Sequence, residues 1–139
     1  MTSLRFLLGL VFAGAGLTIF TANATASCAP LRDFVAHGRL EAGDVVVAFR
    51  TVPAPIEVGR HFSVEAIVCA NPPARGLRVD AQMPEHRHGM NYRARVLAAG
   101  DGRYVAEGLL FHMPGRWQLL FDVERDGRTE RLATDVVLE

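Results

Sequence analysis

An all-β fold is what this sequence predicts, on three observations. No 3.6-residue apolar period survives beyond residue 26; alternation of apolar and polar residues recurs in short runs instead; and each run is bounded by Gly, Pro, Asn or Asp. Successive side chains of a strand point to opposite faces, so strict alternation marks strands that bury one face only.

The N-terminus stands apart. Arg5 is followed by an apolar run from Phe6 to Phe20 and then by Ala24-Thr25-Ala26, the small-residue pattern of a signal-peptide cleavage site. Residues 1–26 therefore read as a signal peptide and 27–139 as the mature, exported domain, periplasmic or otherwise secreted. The apolar run is shorter than the roughly 20 residues that a spanning helix needs, so no stable membrane insertion is expected after cleavage. A lipoprotein would use Cys28 as its lipidated residue, with Thr25 where a lipobox carries Leu.

Along the mature chain, Asp44 to Thr51 is the first expected strand and Pro53-Ala54-Pro55 ends it. His61 to Cys69 follows, with Phe62, Val64, Ala66 and Val68 inward, closed by Asn71-Pro72-Pro73. In Leu77 to Met83, Leu77, Val79, Ala81 and Met83 point inward. Arg93 to Ala98 leads through the turn Gly100-Asp101-Gly102 into Tyr104 to Met113, and that strand is expected to pair with Trp117 to Glu124. Trp117, Leu119, Phe121 and Val123 share one face, which makes Trp117 a core anchor. Asp126-Gly127 turns the chain into Thr129 to Leu138. About seven short strands at this spacing predict a single immunoglobulin-like antiparallel β-sandwich.

Composition excludes some functions. Fifteen basic residues balance fifteen acidic ones, and every basic residue is an arginine placed singly along the chain, so neither a nucleic acid nor an anionic membrane is an expected partner. The two cysteines, Cys28 and Cys69, predict one disulfide in an oxidising compartment; the alternative is thiolate ligation of a soft metal. Hydrolase chemistry finds no support: no G-x-S-x-G is present, Ser63 lies mid-strand, and Glu124 and Asp126 flank a turn. The protein is expected not to be an enzyme.

The residues that do carry chemistry are histidines and methionines. Apart from the initiator, the methionines are Met83, Met90 and Met113, and each lies within three residues of a histidine: Met83 before His86, His88 before Met90, His112 beside Met113. Imidazole and thioether together suit copper, Cu(I) above all, whereas thioether is a poor ligand for zinc. If residues 86–90 are extended, His86, His88 and Met90 share one strand face. Parity with Leu109 and Phe111 directs Met113 to the core and His112 outward. The expected ligands are thus His86, His88 and Met90, with His112 as the fourth and Met83 or Met113 as second choices. His37 and His61 read as surface or strand residues. The bland alternative is a polar rim in which the histidines bond backbone groups and the methionines fill the core's edge.

MPEHRHGMNY, then Gly-Asp-Gly-Arg-Tyr, then GLLFHMPGRWQLLFDVERDG resemble the YtkA-like domain, a family related to the FixH-like proteins of bacterial envelopes. The likeness spans residues 58–138. It implies an exported or tethered immunoglobulin-like sandwich with a role in copper handling or oxidase maturation. FixH-like proteins carry a transmembrane anchor, whereas this chain has a cleavage pattern there. The His and Met chemistry is also similar to that of periplasmic copper chaperones of the PCuAC type, with the elements in a different order. The expectation is a monomer that binds one copper ion and buffers it for, or passes it to, an envelope partner. A module without metal, binding another envelope protein through the 83–92 loop, is the alternative.

Overall fold

The computed structural model describes residues 28–139, so residues 1–26, expected to be a signal peptide, lie outside the described residues. A short 3-10 turn, Ala29–Leu31, precedes nine strands: β1 (Gly38–Ala42), β2 (Val45–Val52), β3 (His61–Cys69), β4 (Gly76–Met83), β5 (His88–Gly89), β6 (Arg95–Gly100), β7 (Arg103–Leu110), β8 (Gly115–Arg125) and β9 (Arg128–Leu138). They form two antiparallel sheets, β1-β2-β3-β7-β6 and β5-β4-β8-β9. Leaving aside β1 and β5, the orders β2-β3-β7-β6 and β4-β8-β9 are the ABED and CFG sheets of the immunoglobulin sandwich.

Local sequence explains most of these elements. The expected inward sets of β3, β4 and β8 are all in the buried core, because alternation leaves each strand one apolar face to pack. Between the sheets, Phe49 meets Phe121 at 4.9 Å, and Phe111 stacks on Trp117 at 4.6 Å with the rings 9° from parallel. Burying each such side chain stabilises the fold by about 1.5–3 kcal/mol. At the β8–β9 hairpin, Asp126 and Gly127 both take positive φ, 47° and 69°, which matches the twist of the flanking strands. Cys28 and Cys69 lie at disulfide distance, their Cα atoms 5.8 Å apart, and fasten the start of the described chain to the end of β3.

Three details differ from expectation. β1 and β5 were not foreseen, which makes nine strands where about seven were expected: β1 alternates but is five residues long with Leu40 its one large apolar side chain, β5 is two residues long, and pairing with β2 and β4 supplies their order. β6 begins two residues later than predicted, at Arg95. The expected pairing of Tyr104–Met113 with Trp117–Glu124 is wrong. β7 pairs with β3 and β6, while β8 pairs with β4 and β9. Residues 111–114 carry the chain from one sheet to the other instead of closing a hairpin, and Pro114, which has no N–H to give to a ladder, stands in that corner. No helix among the described residues is long and apolar enough to cross a membrane.

Candidate metal centre

The crossing of β7 to β8 has a consequence for chemistry: it delivers His112 to the end of the sandwich where β4 turns into β5. β4 ends on Met83, 1% exposed, as the last inward residue of its strand. Pro84 then interrupts the ladder. The backbone N–H of His86 donates to the Met83 carbonyl at 3.2 Å, that of Arg87 donates to the Pro84 carbonyl at 3.3 Å, and Arg87 takes a φ of 56°. Residues 84–87 therefore form a tight turn, after which His88 pairs with Met83 and the Met90 N–H donates to the Ala81 carbonyl at 3.1 Å. The conditional expectation of an extended 86–90 face is not met. His86 reaches its neighbour through the turn, and its ring centroid lies 5.8 Å from that of His88.

An ion pair fixes the turn from outside. Arg116, at the start of β8, donates to Glu85 from Nη2 at 3.0 Å and from Nε at 3.2 Å, while its Nη1 reaches Asp135 on β9 at 3.3 Å. On the other side, Phe111 is fully buried and His112-Met113-Pro114 rounds the corner into β8. The Trp117 Nε1–H donates to the Met113 carbonyl at 3.0 Å and holds that corner against the core. Gly115 is required there: its φ is +118°, and a Cβ would stand 2.8 Å from the Met83 Cε.

The result is a layered arrangement. Trp117, 0% exposed, is the floor. The His88 ring meets it edge-on at 5.8 Å and 71°, and the His112 ring at 5.3 Å and 80°. The two imidazoles are 5.2 Å apart between centroids. A metal–nitrogen bond of about 2.0–2.1 Å places an ion about 3.2 Å from an imidazole centroid, so two rings sharing an ion at a trigonal or tetrahedral angle lie about 5.2–5.5 Å apart. The His88–His112 spacing falls in that window and the His86–His88 spacing just beyond it. Among the described residues, no three His, Cys, Asp or Glu side chains converge to enclose an ion as the rings stand. Ring rotation would have to complete such a centre.

Hydrogen bonding distinguishes two of the rings. His88 Nδ1 lies 3.1 Å from the Gly89 carbonyl, which favours the tautomer with the proton on Nδ1 and a free lone pair on Nε2. His112 Nδ1 is buried and has no hydrogen-bond partner. A buried polar atom without a partner costs about 1–3 kcal/mol, so its persistence calls for a ligand or a role. An unpartnered Nδ1 is open to a ligand from outside, whereas the His88 Nδ1 bonds a backbone carbonyl as the bland alternative has it. The burial of His112 Nδ1 also departs from the outward-facing His112 that strand parity suggested, because β7 ends at Leu110 and its alternation stops there.

The thioethers divide. Met83 is a core residue that also lines the surface groove beside His88 and Met90. Met90 and Met113 are half-buried against the core. Cys28 and Cys69 sit at the opposite end of the sandwich, so a thiolate contribution to this centre is out of reach. His37 is structural, its Nδ1 accepting from the Thr51 N–H at 3.1 Å, and the His61 ring lies 6.2 Å from that of Tyr92. Two participants escaped sequence reading. Trp117 was read as core, which it is, but parity does not reveal that histidines cover it; and Arg116 gave no signal of its tie to Glu85.

Fold and site together define an immunoglobulin-like β-sandwich with His88 and His112 seated on a buried tryptophan at one end and His86 beside His88. Compared with family models, with curated proteins and with solved structures, the chain finds no match.

Proposed function

We propose that the protein is an exported, non-enzymatic copper-binding protein that buffers or carries one copper ion, Cu(I) in preference, for an envelope partner. The observation that carries this reading is the meeting of His88 and His112 at 5.2 Å above Trp117, with a buried and unpartnered Nδ1 on His112. His86, His88 and His112 supply the nitrogens; Met90 and Met113 are the thioethers at the same end, and Met83 is a reserve already packed in the core. Nitrogen with thioether is a soft, neutral donor set that holds Cu(I) without neutralising it, which suits release to a partner. The disulfide-distance cysteines fit an oxidising compartment, and the likeness of the Met-Pro-x-His-x-His-Gly and His-Met-Pro-Gly-x-Trp elements to the YtkA-like domain supports the same assignment.

Titration of the mature protein with Cu(I) against a competing chelator tests it. One equivalent should bind and should quench the fluorescence of Trp117, the only tryptophan in the chain. Changing His86→Ala and His88→Ala together should weaken binding about 100-fold, since outer-shell changes alone cost about 10–100-fold. Equal, weak competition by wild type and the double variant removes the copper reading. A metal-independent binding module remains the second reading because Tyr92, 57% exposed, stands on the 83–92 loop. In that case the double variant loses a protein partner and no metal affinity.

A further inference from the structure

The groove that begins at His88 and Met90 does not end there. It has a volume of about 600 Å³ and continues along the outer side of the four-stranded sheet, where Arg78, Arg87, Arg93 and Arg131 line it together with Tyr92. The chain as a whole carries no net charge, so this is a local concentration of guanidiniums.

Two of the four are held in place. Arg78 on β4, Asp122 on β8 and Arg131 on β9 are register partners across three neighbouring strands. Asp122, only 6% exposed, accepts from Arg131 Nε at 2.6 Å and Nη2 at 2.8 Å and pairs with Arg78 Nη2 at 3.2 Å. One carboxylate thus orients two guanidiniums and neutralises one of them, leaving outward N–H groups in a fixed plane. Arg87 and Arg93 are exposed and pair with no carboxylate among the described residues. Counting Asp80 as well, four guanidiniums face two carboxylates. Arginine, tyrosine and methionine are also the residue types enriched where proteins bind one another, and lysine, depleted there, is absent from this chain.

We propose that this groove docks an acidic segment of a partner protein, laid along the guanidiniums so that its end comes to His88 and Met90. The inference rests on the copper reading for its purpose, which is to bring a donor or acceptor of the ion to the rim of the centre. Opposite charge steers the encounter and fixes its orientation, while the buried Asp122 holds the two central guanidiniums side by side against their mutual repulsion.

The test uses metal-free mature protein, so that its outcome does not depend on copper. A fluorescein-labelled decapeptide of alternating Asp and Glu is titrated and followed by anisotropy at low and high salt. Wild type should bind, with affinity falling as salt rises. Arg93→Glu should weaken binding about tenfold, and Arg87→Gln with Arg93→Glu more. Arg128→Glu, at the far end of the sandwich, changes net charge equally and should leave binding close to that of wild type. The proposal is overturned if Arg128→Glu weakens binding as much as Arg93→Glu does, if wild type does not bind the peptide, or if inorganic phosphate at equal charge displaces it completely. Binding of vesicles rich in anionic lipid in place of the peptide would overturn it too. A protein that docks the peptide and fails the Cu(I) titration keeps the groove and loses the copper reading.

Discussion

The two ends of the sandwich are built from similar material and solve different problems. At the cystine end, Arg125 closes β8 by donating to Asp44, to Glu130 at 3.0 Å and to the Asn71 carbonyl at 2.9 Å, beside the Cys28–Cys69 pair. Asp44 is held below the usual carboxylate range by its hydrogen bond to Arg125, and the Arg125 guanidinium is held more firmly protonated in return. At the histidine end one buried polar atom is left without a partner. His112 Nδ1 is buried and unpartnered, the His88 and His112 rings lie 5.2 Å apart over the Trp117 floor, and the His86 ring lies 5.8 Å from that of His88. Polar groups satisfied by their neighbours stabilise the fold, and an unsatisfied one is the feature on which the proposed copper reading rests.

The largest effect should come from the floor of the histidine end, which belongs to the core as much as to the site. Trp117→Ala should cost about 3–5 kcal/mol by opening a cavity, measured by urea unfolding. A loss below 1 kcal/mol would mean that the indole serves the cluster alone. Next, changing Cys28→Ser and Cys69→Ser together should cost about 2–4 kcal/mol, given a sequence separation of 41, and leave Cu(I) affinity unchanged. A change in copper affinity would couple ends that the structure separates.

The comparison is sharpest in a pair of substitutions expected to differ in sign. His112→Leu removes an unsatisfied buried nitrogen, so it should leave stability unchanged or raise it by about 1 kcal/mol, while Cu(I) affinity falls about 100-fold. Arg125→Met, which strips three acceptors of their partner, should lower Tm by several degrees and leave copper alone. If His112→Leu destabilises and copper binding persists, the histidine end is structural like the other.

The smallest effect concerns acid. Asp122 lies below the usual carboxylate range, chiefly through its hydrogen bond from Arg131 and against the opposing pull of burial. A carboxylate depressed on folding contributes stability that is present above its unfolded value, near pH 4, and is lost as pH falls through the lower folded value. Asp122→Asn should therefore cost about 1–2 kcal/mol at neutral pH and reduce the steepness of acid unfolding below about pH 4, read from Tm against pH. Unchanged acid sensitivity would place the titrating carboxylates elsewhere, Asp44 first.

What could be read from the residues alone was local. Period-two alternation placed the inward faces of β3, β4 and β8, since the direction of a side chain follows from its place in the strand. Asp126-Gly127 and Gly100-Asp101-Gly102 announced their turns because few residues tolerate positive φ. The ligand candidates were visible as residue types, and the burial of Met83 as parity. The pairing of strands was not legible, and the error over β7 and β8 shows why: a corner and a hairpin both need Pro and Gly, and only the competition among distant partners decides between them. Tertiary structure alone brought residues 86–88 and 112 to one end, bent 84–87 into a turn that His86 rides on, laid two imidazoles over Trp117 and left one nitrogen of His112 without a partner. Sequence determines which faces are apolar and which side chains can bind; the choice of neighbours is made by how two sheets bury those faces together, and that choice turns scattered histidines into a cluster.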